Sequence, residues 1–264
     1  MDLTPQLTET WTALVDLLAG LDDDAWRTPT PCEGWTVHDV AAHLGHVEGV
    51  AHGFDQPEPP PDFDPGAYEG FDAMTEAGVA ARRDWPAARV LDEIRRASAS
   101  TLDHVSHVDE EGWEQPWPSP VGTVPLHQAQ EIRLADEYVH LLDLRYALGR
   151  PLDPADEPAT AAAAVGRAVR LSGWGAVKGA GLTDGTRIRL EIDGPGGTLA
   201  DLVVSGRRGN LVDPDDATTD RVAGPGLAYL LAVSGRAEMA DAAGGLTVAG
   251  DDAVRFLSGY RLFL

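Results

Sequence analysis

Cysteine is nearly absent from this chain, with Cys32 the only one in 264 residues. A disulfide framework is excluded, and so is a metal site of paired cysteines, which leaves histidine and carboxylate as the available metal ligands. Cys32 itself reads as a buried, inert thiol. Lysine is equally scarce: Lys178 stands alone among 20 basic residues, against 43 acidic ones and a formal net charge of −23. Nucleic acid is therefore not an expected partner, because phosphate binding needs a basic face. No apolar run approaches the length of a membrane span, and the first twenty residues are too acidic for a signal peptide. The expectation is a cytoplasmic protein without a membrane partner, monomeric or a small homo-oligomer. The arginine, alanine, glycine and valine bias fits a high-GC genome.

With 43% hydrophobic residues there is material for real cores, and the length suggests two domains. Leu7, Trp11, Leu14, Val15, Leu18 and Leu21 recur at helical spacing, and Thr28-Pro29-Thr30-Pro31 breaks the pattern. Thr36 reads as an N-cap with Asp39 as its capping-box partner, opening a helix that carries Val40, His43, Leu44 and Val47. A Pro- and Asp-rich loop follows at 56–65. Helix is then expected over 67–107, interrupted near Trp85-Pro86. An ordered loop is expected over Trp113–Pro125. A last helix spans 126–148 and ends at Gly149. Four helical regions predict a four-helix bundle over residues 1–152.

Past Pro151 the pattern changes. An Ala-rich helix opens the stretch 154–180, and Arg187 to Asp193 alternates as a half-buried strand. Gly194-Pro195-Gly196-Gly197 reads as a turn rather than a phosphate loop, since it lacks the lysine and the following helix. Leu199 to Ser205 returns as the partner strand. Short strands near Arg221 and at 246–248 alternate with helices at 227–234 and 252–257, so residues 153–264 are expected to form a smaller α+β domain.

On the last bundle helix Asp136 and His140 lie four apart on one face, with Asp143 seven residues from Asp136. The other sides carry Leu134, Val139, Leu141 and Leu142, so the helix is expected to be buried, and buried charges need a partner or a metal. His43 borders the apolar face of the second helix. Two ligands from one helix and one from a neighbour would leave a coordination position open. Taken alone, such an Asp–His spacing is more often a salt bridge or a satisfied histidine than a metal site.

The stretch Thr30-Pro31-Cys32-Glu33-Gly34-Trp35-Thr36-Val37-His38-Asp39-Val40-Ala41-Ala42-His43-Leu44 resembles the N-terminal signature of the mycothiol-dependent maleylpyruvate isomerase family, within the DinB-like metal-binding bundles. Arg133-Leu134-Ala135-Asp136-Glu137-Tyr138-Val139-His140-Leu141-Leu142-Asp143-Leu144 resembles its second signature. The C-terminal part is similar to the family's sterol-carrier-like α+β domain. The resemblance implies a zinc-type divalent ion held by His43, Asp136 and His140, with Asp143 orienting a ligand. The family usually has Glu at the acidic position, so Asp136 is a departure; Glu137 points roughly 100° away around the helix. The resemblance also implies arginines that grip substrate carboxylates, for which Arg82, Arg83 and Arg236 are the candidates. His38, His46 and His52 are expected to be solvated.

The cofactor implied is mycothiol, a low-molecular-weight thiol. A bound divalent ion would favour its thiolate, which attacks a small electrophilic substrate. A cis-enoyl diacid such as maleylpyruvate would be isomerised, and a substrate with a leaving group would undergo S-transfer. The competing readings are a non-catalytic small-molecule or metal-binding protein and a hydrolase that uses metal-bound water.

Overall fold

The capping box forms as the sequence predicts. The Asp39 carboxylate accepts from the Thr36 backbone N–H at 2.9 Å, and Thr36 Oγ1 accepts from the Asp39 N–H. In this computed structural model, which describes residues 2–68 and 70–262, the chain divides into units Met1–Pro151 and Leu152–Leu264.

The first unit is helical. Its elements are α1 (Thr4–Ala19), α2 (Asp23–Trp26), α3 (Val37–Ala51), α4 (Phe71–Ala80), α5 (Ala87–Ser106) and α6 (Leu126–Ala147). Helices α1, α5, α3 and α6 close a four-membered ring by packing α1 on α5, α5 on α3, α3 on α6 and α6 back on α1. Leu7, Trp11, Leu14, Val40, Leu44, Ile94, Tyr138 and Leu142 fill its interior. The break before α5 falls at Pro86, the N-cap, as proline chemistry demands. Gly149 adopts φ 64° just past α6, a backbone conformation that glycine reaches without strain.

The stretch Trp113–Pro125, expected as a loop, is a two-stranded ribbon of β1 (Pro116–Ser119) and β2 (Gly122–Pro125). Its prolines read as breakers. A two-stranded ribbon has free edges, however, and tolerates a missing N–H there.

The second unit is α+β. It contains α7 (Pro158–Arg170), a single turn α8 (Ser172–Trp174), β3 (Arg187–Asp193), β4 (Thr198–Ser205), β5 (Arg208–Val212), β6 (Arg221–Pro225), α9 (Gly226–Val233), α10 (Ala237–Ala242), β7 (Thr247–Ala249) and α11 (Asp251–Gly259). The five strands lie in the order β5-β4-β3-β6-β7, with β3 and β6 parallel and the other pairs antiparallel. Ile188, Leu190 and Ile192 face the core, while Arg187 and Arg189 on the other face pair with the buried Asp201 carboxylate. The glycine cluster is a turn. A Cβ on Gly196 would stand 2.1 Å from the Ala162 carbonyl oxygen, so its glycine serves a close approach to α7. Strand β5 was not expected. The Gly206-Arg207 turn that creates it has positive φ at both residues, and arginine is an unusual residue for that conformation.

Candidate metal centre

The capping box fixes where α3 begins, and seven residues on, nearly two turns, His43 enters the bundle interior. Helix α6 lies alongside α3 and presents Asp136 and His140 one turn apart. The structure brings these three side chains together. His43 Nε2 is 3.6 Å from Asp136 Oδ2, His140 Nε2 is 3.6 Å from Asp136 Oδ1, and the two imidazoles are 4.9 Å apart by centroid. The ligand atoms all lie within 4.8 Å of one another. A tetrahedral ion with ligands at about 2.0–2.1 Å separates its donors by about 3.4 Å, so little movement would be needed to enclose one.

His43 is buried, at 5% exposure, and among the described residues neither of its ring nitrogens has a hydrogen-bond partner. An imidazole N–H left so inside a protein is costly, and a cation on Nε2 would remove half of that cost. The three groups are electrostatically linked. Burial presses His43 down to about 4, against the pull of Asp136. Burial also opposes charge on His140, but Asp143, Cys32 and Asp136 outweigh it and push its value up to about 10. Asp136, although buried, is held well below the usual carboxylate range by His43, His140 and Arg133.

Asp143 reaches His140 Nδ1 at 3.0 Å from the side opposite Asp136, which directs Nε2 toward the other two donors. Glu137 is fully buried and faces Arg133 at 3.5 Å. Asp136, not Glu137, is the carboxylate that meets the histidines.

Two residues of the first signature were not assigned a role by sequence reasoning. Cys32, read as inert, is only partly buried, and its Sγ lies 3.2 Å from Asp143 Oδ2 and 3.8 Å from His140 Nδ1. Trp35 lies against His43 at 5.3 Å and His140 at 6.4 Å, and its indole N–H donates to Glu76 at 2.8 Å. Their places within the signature were the available signal.

The arginine candidates differ sharply. Arg82 is fully buried: Nε and Nη2 donate to the Glu93 carboxylate at 2.6 and 2.7 Å, Nη2 also to Gln56, and Nη1 to the Gly78 carbonyl. Arg83 is half exposed, 3.2 Å from Asp39 and 3.9 Å from the Glu76 that holds Trp35. Arg236 belongs to the second unit, where it caps α10 and donates to the Ser234 carbonyl at 2.7 Å.

The flanking histidines depart from the solvated expectation. His46 is buried, with Nδ1 2.8 Å from Gln56 and the ring against Gly78. His38 and His52 are partly buried, on the Trp85 carbonyl and Thr101 respectively. Helical spacing could not show that α4 and its flanking loop cover this side of α3.

A helical bundle with a His–Asp–His donor group in its interior, followed by an α+β unit, defines the class of protein. The family model that matches residues 7–145 is that of the mycothiol maleylpyruvate isomerase N-terminal domain. The chain belongs to this family. Two solved structures share the fold: the mycothiol-dependent maleylpyruvate isomerase and its H52A mutant. Each is 17% identical at a TM-score of 0.59, over 94% of this chain and 93% of the other. No curated protein matches the sequence.

Proposed function

We propose that this protein is a metal- and mycothiol-dependent isomerase or S-transferase acting on a small electrophile such as a maleylpyruvate-like diacid. The carrying observation is the buried His43, whose ring nitrogens lack hydrogen-bond partners among the described residues while Asp136 and His140 stand beside it. Family membership supports thiol dependence. A zinc-type ion, when bound, supplies the positive charge that turns a thiol into its thiolate near neutral pH.

The chain's own residues then have separate tasks. His43, Asp136 and His140 are the ligands, and three protein ligands leave room for an exogenous one. Asp143 holds His140 in the tautomer that presents Nε2. The Trp35 ring covers the two imidazoles and limits water. Arg83, half exposed beside the Glu76 that anchors Trp35, is assigned to a substrate carboxylate. Arg82 is assigned to holding α4 and α5 together, because Glu93, Gln56 and Gly78 already engage its donors. Addition of the thiolate sulfur to a cis double bond, rotation, and expulsion of the same thiolate isomerise a diacid without consuming thiol.

No helix among the described residues is long and apolar enough to cross a membrane. Metal analysis with thermal-shift screening tests the proposal. About one divalent ion per chain is expected, lost in His43→Ala and His140→Ala, with mycothiol stabilising only the metal-loaded protein. A wild-type protein that takes up no added zinc would sink the metal reading. Turnover unaffected by omitting thiol would replace the isomerase with a hydrolase.

A further inference from the structure

A second polar assembly meets the donor group at Asp136. Arg133 sits on α6 three residues before Asp136, and only 12% of its side chain is exposed. Its Nε donates to Glu48 Oε1 at 2.8 Å, its Nη1 donates to Asp136 Oδ2 at 2.9 Å, and its Nη2 lies 3.5 Å from Glu137 Oε1. Glu48, on α3, is 2% exposed, and its other oxygen accepts from Thr101 Oγ1 on α5 at 2.5 Å. Thr101 Oγ1 also lies 3.3 Å from the Ala97 carbonyl oxygen and 2.7 Å from His52 Nε2. Thr101 thus ties Glu48 to α5, and the Arg133 guanidinium bridges Glu48 and Asp136.

We propose that Arg133, braced by Glu48 and Thr101, is the positioning residue that aims the Asp136 carboxylate at the metal ion. The inference rests on the metal reading above. Asp136 is the most exposed of the three ligands, at 21% for its side chain. A short carboxylate on a helix has few rotamers, and some of them turn it toward water. The guanidinium removes that freedom by holding Oδ2 on the side of His43, which leaves Oδ1 toward His140. Guanidinium geometry is needed for this task. Its rigid fork addresses Glu48 and Asp136 at once through different nitrogens, whereas an ammonium is a single point of charge. The brace spans three helices, so the aspartate's direction is set by the bundle and not by its own backbone.

Cobalt(II) titration of chelator-treated protein against a competing chelator, with the visible d–d spectrum, tests this. The variants are Arg133→Lys, which keeps the charge, and Thr101→Val, which keeps shape and charge while removing the donor to Glu48. Arg133→Lys is expected to bind Co2+ about 10–100-fold more weakly and Thr101→Val roughly 3–10-fold more weakly, as for other outer partners of metal ligands. Both should shift the d–d bands, which a merely structural role would leave in place. A folded Arg133→Lys protein with wild-type affinity and spectrum overturns the proposal. Should Arg133→Lys not fold, wild-type values in Thr101→Val overturn it alone. A wild-type chain that binds no Co2+ refutes the metal reading itself, an outcome distinct from unchanged variants of a wild type that binds.

Discussion

Replacing Arg82 by methionine separates two roles for an arginine of this family. In the structure Arg82 has no exposed surface, and its partner Glu93 is 4% exposed. The replacement strands the Glu93 carboxylate in the bundle and removes donors from Gln56 and the Gly78 carbonyl. Breaking a buried pair by removing one partner costs about 3–5 kcal/mol. For a chain of this size each kcal/mol lowers the midpoint by about 2–4 °C, so a fall of roughly 6–20 °C is expected. Replacing both partners, as Arg82→Met with Glu93→Leu, should restore at least about half of the loss, because an apolar pair of similar volume often matches a buried ion pair. Urea and thermal unfolding followed by tryptophan fluorescence would measure this, since six of the seven tryptophans lie in the first unit. The reasoning fails if Arg82→Met unfolds within about 1 kcal/mol of the wild type while KM rises, the pattern expected of a substrate-gripping arginine. It also fails if the double variant is no more stable than the single.

Two further outcomes follow from the site's surroundings. In chelator-treated protein, His140 is raised to about 10 from 6.5, so its stabilisation is complete below pH 6.5 and fades as pH rises through 10. His43 is lowered to about 4, so its contribution is complete above pH 6.5 and is lost as pH falls through 4. The metal-free melting temperature should therefore peak near pH 6.5, and His140→Gln should flatten the alkaline limb; an alkaline limb identical in both proteins would refute this. Gly78→Ala places a Cβ 2.2 Å from the His46 ring, which Gln56 holds from the other side. A loss of about 1–3 kcal/mol by urea denaturation is expected from such overpacking, and an unchanged midpoint would show that His46 can move.

The sequence by itself determined the local elements that have local causes. Thr36 and Asp39 set the start of α3 through groups three residues apart, Pro86 set the start of α5, and the period-two pattern from Arg187 to Asp193 set β3. One helix face was enough to pair Asp136 with His140 and to turn Glu137 away. The first signature drew attention to His43. What the sequence could not determine are meetings between residues far apart in the chain. His43 reaches α6 only because α3 packs beside it. Cys32 and Trp35 come to the ligands from a loop whose path no periodicity describes. Arg82 and Arg83 are neighbours in sequence, yet packing of α4 on α3 and the ion pair to Glu93 of α5 bury one and leave the other beside solvent. Strands β1, β2 and β5 escaped notice because prolines and an arginine stand where turn chemistry usually places other residues. Burial and partner choice are properties of the packed chain, and they decided which of the sequence's charged residues face one another around the site.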